Sequence, residues 1–121
     1  IRAQWDRGSL GDPGVVQPPI WIGSNSKEVP KRVAGYADGW MTRKNLYPAN
    51  AIEDMRKACA EIGRPFSSAT MVLMDASLEV GQVESDFESG YEHFVYFMQG
   101  DGKVEGLRKL EFITKLIDHL D

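Results

Sequence analysis

Along this chain, continuous apolar runs of strand length alternate with segments whose apolar residues recur every three or four positions. Ile20, Trp21 and Ile22 form the first run, as in a parallel strand covered on both faces. Val29, Val33, Tyr36 and Ala37 then fall on one helical stripe. Pro30 suits a helix only in its first turn. It stands about one residue late, so an irregular start is expected. Residues 39–42 give a very short second strand. Ile52, Met55, Cys59 and Ile62 trace a second helix. Asn50 and Glu53 open it at capping-box spacing, and Gly63 and Pro65 close it. Residues 69–76 read as a third strand, residues 82–89 as a short acidic helix or a turn, and residues 93–98 as an aromatic and β-branched fourth strand. After a turn at residues 100–103, Leu107, Leu110, Ile113, Ile117 and Leu120 define a last helix whose stripe is expected to face the sheet. Residues 1–17 carry Gly8, Gly11, Asp12, Pro13 and Gly14 and read as a loop or linker, held extended into the first strand by Pro18 and Pro19.

Strand followed by helix, four times over, implies right-handed βαβ units and a parallel sheet. Four such units match half of a (β/α)8 barrel. Periodicity alone equally allows a small open doubly wound sheet. Half a barrel has two unpaired edge strands and an inner face built to meet another half. It therefore calls for a missing N-terminal half-barrel or a second copy of itself. The chain begins at Ile1 rather than Met, and the expectation is a fragment of a longer protein.

The length of 121 residues limits the chain to one domain. Eighteen acidic residues against fourteen basic ones leave a net charge of −4. The lysines and arginines are scattered, so nothing favours nucleic acid, which needs clustered positive charge. No apolar run reaches the length of a membrane span and no signal peptide is visible, so a cytoplasmic location is expected. Cys59 is the only cysteine. It can form no internal disulfide, and its place beside Ile52 and Met55 makes it a core residue.

The chemistry gathers after the first strand. Gly23 gives backbone freedom and close approach, and Ser24, Asn25 and Ser26 supply hydroxyls, an amide and N–H groups near a helix start. That arrangement suits an anion, usually phosphate. The plainer reading makes Ser26 an N-cap and the turn a connector. Other single residues form no hydrolase constellation. Asp75 lies near the end of the third strand without a visible acidic or nucleophilic partner. His93 opens the fourth strand and reads as structural. His119 stands in the last helical turn, where a cation suits the dipole. Two histidines so far apart make no metal triad.

The block Pro18-Pro19-Ile20-Trp21-Ile22-Gly23-Ser24-Asn25-Ser26, followed by Lys31-Arg32-Val33-Ala34-Gly35-Tyr36-Ala37-Asp38-Gly39-Trp40, closely resembles the C-terminal half of luciferase-like monooxygenases. The resemblance runs from about residue 13 onward. It is weaker through Glu61-Ile62-Gly63-Arg64-Pro65 and through residues 93–98. It implies a (β/α)8 barrel using flavin mononucleotide (FMN) or a deazaflavin coenzyme, with this chain as strands five to eight. The family signature has two glycines after the Ile-Trp-Ile strand, and here the second is Ser24, which changes the phosphate geometry rather than the location. The resemblance places Gly23, Ser24 and Asn25 against the cofactor phosphate, with Ser26 beside them. It puts Thr42 within reach of the phosphate or ribityl chain, although Thr42 equally suits a strand-end hydroxyl satisfying the local backbone. Arg43 and Lys44 are contacts for an anionic tail or substrate, or else solvated loop charges. Trp40 suits core packing better than stacking on the flavin ring. A small organic substrate is implied. Catalytic residues are not assigned, and the chain alone is expected to be inactive.

Overall fold

A computed structural model describes residues 18–97 and 102–120. The linker reading of residues 1–17, the end of the fourth strand at Met98 and the start of the turn at Gly100 and Asp101 lie outside the described residues. Among the described residues four strands alternate with four helices: β1 (Trp21–Gly23), α1 (Val29–Tyr36), β2 (Gly39–Thr42), α2 (Ala51–Glu61), β3 (Thr70–Met74), α3 (Val80–Ser89), β4 (His93–Val95) and α4 (Gly102–Leu120). A 3-10 turn, Phe66–Ser68, leads into β3.

Every strand pairing is parallel and the order is β1-β2-β3-β4. The fold is α/β with a parallel sheet, as the alternation predicts. The order lacks the reversal of a doubly wound sheet. Right-handed crossovers stepping in one direction place the helices on one face. Side-chain alternation agrees. Ile22, Trp40, Met71, Leu73 and Phe94 pack in one cluster with Val29 and Val33 of α1 and Met55 and Cys59 of α2.

The other face carries Trp21, Gly39, Met41, Val72 and His93, placed by the same alternation. Trp21 and His93 sit on the two edge strands, three strand spacings or about 14 Å apart. Their rings nevertheless meet, with centroids 5.5 Å apart. The indole manages this by lying over Gly39, where an added Cβ would stand 2.8 Å from Trp21 Cδ1 and 2.7 Å from the Thr70 carbonyl oxygen.

Helix ends follow the local chemistry. Asn50 Oδ1 accepts from Glu53 N at 3.1 Å. At the other end of α2, Gly63 adopts φ 73°, with Gly63 N bonded to Ala60 O at 3.2 Å and Arg64 N to Cys59 O at 2.9 Å. That is a Schellman closure of the last carbonyls. Arg64 then serves a different helix. Its Nη1 donates to the carbonyls of Val33 (2.8 Å), Ala34 (3.1 Å) and Ala37 (2.8 Å) at the end of α1. A fixed cation there satisfies orphan carbonyls and opposes the negative end of the helix dipole.

Some expectations are corrected. On α1 the buried set is Val29, Pro30, Val33 and Ala34, while Tyr36 is exposed. On α2 Ile62 is exposed because it falls at the C-cap, and Ala58 takes its place in the core. The third strand stops at Met74 because Asp75 turns to φ 55°. Residues 82–89 belong to a helix rather than a turn, and it begins at Val80. Gly102 and Lys103 are helical. The largest change concerns α4, where Leu107, Leu110 and Ile117 are exposed. The packed side is Lys109, Phe112, Ile113 and Leu116, about one residue or ~100° around the helix. Phe112 sets this rotation by packing edge-on against the Tyr96 ring at 6.0 Å.

Candidate functional site at the carboxyl edge of the sheet

The turn after β1 is tied to the end of β2 by two side chains. Trp40, fully buried, donates from Nε1 to the Ser24 carbonyl at 2.7 Å and meets the Tyr47 ring edge-on at 4.8 Å. Its role is packing, as the sequence suggests, with an added grip on the turn. Asn25 Oδ1 accepts twice, from Thr42 Oγ1 at 2.9 Å and from Arg43 N at 3.0 Å. Thr42 is fully buried and its hydroxyl proton is committed to Asn25.

The two serines are turned onto their own backbone. Ser24 Oγ accepts from Ser26 N, and Ser26 Oγ accepts from Glu28 N, each at 3.3 Å. Ser26 is not an N-cap, because α1 begins at Val29 with Glu28 before it. The helix start therefore lies three residues beyond the expected turn. Pro30 explains the shift, since it fits only the first turn and fixes where the helix can begin. Gly23 has no positive φ, so the backbone does not require glycine there. The space its Cβ would enter is open, and close approach to the main chain is what the glycine provides.

Two donors remain on this edge. Asn25 Nδ2 has no hydrogen-bond partner among the described residues. Arg43 lies on the open face two positions beyond Met41. Its guanidinium sits 4.9 Å over the Phe97 ring and has no carboxylate partner among the described residues. Lys44 diverges from it. Its ammonium pairs with Asp86 of α3, a residue only 3% exposed, which also accepts from Gln82 Nε2 at 3.0 Å. Gly23, Ser24, Asn25, Ser26, Thr42 and Arg43 thus gather at one corner, and Lys44 faces another.

Beside Lys44 the end of β3 opens into a pocket of about 360 Å³ lined by Leu73, Met74, Asp75, Ser77, Gln82 and Asp86. Asp86 and Gln82 were not singled out by sequence. Their signal is faint, because a buried acid in an acidic helical stretch looks like its solvated neighbours. The buried carboxylate acts on its surroundings: Tyr91 is pushed up to about 12, first by burial and then by Asp86. The Tyr96 hydroxyl is raised by the same two causes. Tyr47 donates to Asp54 at 2.5 Å, and burial, reinforced by that carboxylate, raises its hydroxyl well above the ordinary range.

The remaining candidates lie elsewhere. His93 stands at the amino end of β4 against Trp21. His119 Nε2 lies 2.6 Å from Glu84 Oε1, joining α4 to α3. Cys59 is 1% exposed, and burial raises its thiol against the lowering influence of Arg64. No helix among the described residues is long and apolar enough to cross a membrane. No family model matches the chain, and no curated protein matches it.

Proposed function

We propose that this chain is the cofactor-phosphate side of a flavin- or deazaflavin-dependent oxidoreductase of the luciferase-like kind, built as strands five to eight of a (β/α)8 barrel. The observation that carries the reading is the strand, turn and strand from Ile20 to Trp40, whose sequence resembles that family and whose turn lies at the carboxyl edge of a sequentially ordered parallel sheet. Phosphate groups bind at that edge in barrels. The Asn25 amide, without a hydrogen-bond partner among the described residues, the Arg43 guanidinium and the open space over Gly23 suit the phosphate of FMN or of a deazaflavin coenzyme. When bound, the cofactor supplies hydride or oxygen chemistry toward a small organic substrate. Asn25 and Arg43 bind and orient the anionic end, Thr42 holds Asn25 in place, and Trp40 fixes the Ser24 carbonyl so that the turn keeps its shape.

The test is a titration of the purified chain with FMN and with riboflavin, followed by flavin fluorescence. Preference for FMN that is lost in Arg43→Ala and Asn25→Ala supports the phosphate site. Equal affinity for the two flavins would count against it.

A second reading is a noncatalytic half-barrel that self-associates or binds a phosphate-bearing ligand. The exposed Leu107, Leu110 and Ile117 on α4 favour it, together with the outer edges of β1 and β4, which no described strand covers. His119 contacts α3, and those three residues lie on the flank turned away from it. Molar mass measured during the same titration separates the readings, since a flavin-binding monomer would exclude self-association.

A further inference from the structure

Asp75 is a charged group at the carboxyl edge of β3 that the reading above leaves unused. Its backbone stands at φ 55°, a left-handed conformation that Asp adopts more readily than most residues. The two residues after Asp75 are tied to the end of β4 and to the residue beyond it. Ala76 N donates to Val95 O at 3.1 Å, and Tyr96 Oη donates to Ser77 O at 2.9 Å. The Asp75 side chain is exposed and makes no hydrogen bond or ion pair with the described residues.

This carboxylate rims the 360 Å³ pocket. The other two charged groups lining it, Lys44 and Asp86, neutralise each other, and the Gln82 amide is committed to Asp86. One negative charge is left without a counter-charge among the lining residues, which also include the apolar residues Leu73 and Met74. Such a pocket rejects anions and suits a positively charged group carrying hydrocarbon. We propose that it binds a small organic ammonium, with Asp75 as the counter-ion. As a cation site it stands on these residues alone. As the substrate subsite it rests on the oxidoreductase reading and narrows the substrate class to amines.

The test uses the ¹⁵N-labelled chain, titrated with phenethylamine and with 2-phenylethanol, a neutral molecule of similar shape. Phenethylamine is expected to give saturable shifts at residues 44–45 and 75–78, with the alcohol about five-fold weaker, the size of one exposed charge pair. Asp75→Asn should weaken the amine by about the same factor and leave the alcohol unchanged. If that variant loses its dispersed spectrum, raising salt on the native chain serves instead, because screening should weaken the amine alone. Equal response to amine and alcohol, or an amine affinity indifferent to both Asp75→Asn and salt, overturns the proposal. FMN titration of the same samples is read at residues 23–26. Amine binding without FMN binding sinks only the flavin reading, and the reverse sinks only this one.

Discussion

The two ends of the chain use their apolar residues in opposite ways. From β1 to α2 the core is closed: Val29, Val33, Trp40, Met55 and Cys59 are at most 1% exposed, and Tyr36 and Leu46 are the apolar side chains more than half exposed. The turns there are tied by Trp40, Asn25, Asn50 and Arg64. From β4 to α4, Leu116 alone is buried among the described side chains of the helix, and Leu107, Leu110 and Ile117 are each more than half exposed. The first region puts the large side chains of Trp40 and Met55 fully inside. The second presents apolar surface that its own sheet does not cover, which in soluble chains marks a place where something else packs.

If that contrast is right, substitutions should separate the two ends. Trp40→Ala removes a buried indole from the first region and frees the Ser24 carbonyl. It should cost about 3–5 kcal/mol, read as a lower urea midpoint, and leave little folded protein. Arg64→Ala removes the donor shared by three carbonyls at the end of α1, of which Val33 O keeps Ala37 N, and should cost about 2 kcal/mol. Arg64→Lys should recover only part, because an ammonium cannot reproduce the planar fork. Thr42→Val keeps the shape and removes the bond to Asn25, at about 1 kcal/mol. It should also weaken FMN more than riboflavin if Asn25 holds the phosphate. At the other end, Leu107→Gln with Leu110→Gln should change stability by less than about 0.5 kcal/mol per site while lowering any self-association seen by sedimentation. A large loss of stability there would show that α4 is packed from both sides and would end the comparison.

One effect is silent at neutral pH. Tyr91 titrates near 10 when unfolded and about 12 when folded. Its contribution is fully present below pH 10 and is lost as the pH climbs toward 12, since the unfolded state releases the proton first. Tyr91→Phe should flatten the alkaline limb of stability without moving the urea midpoint measured at pH 7 through this linkage.

Much of the first region was legible because its signals are local. Asn50, Gly63 and Pro65 mark the ends of α2 through rules that need no tertiary partner, and Val29 and Val33 lie on a stripe that any packing would use. That the sheet is parallel also followed from alternation, while its strand order did not, since alternation equally allows a doubly wound sheet. What escaped depends on contacts distant in sequence. Nothing near Arg64 says that it caps α1, thirty residues earlier in the chain. The direction of Lys44 is decided by Asp86, forty-two positions away. The rotation of α4 depends on Tyr96, because the helix carries more apolar positions than one face can bury. At the candidate site, the turn and its location were readable, while Pro30 alone hinted that the helix would start beyond Ser26.

The indole lying over Gly39 makes two distant positions a single unit of heredity. An alanine at 39 would meet both the Trp21 ring and the Thr70 carbonyl oxygen, which belongs to the main chain and cannot be trimmed by substitution. Shrinking Trp21 would clear only one of the two obstacles. A lineage could therefore lose the tryptophan and keep the glycine, but losing the glycine first would be a step with no nearby repair.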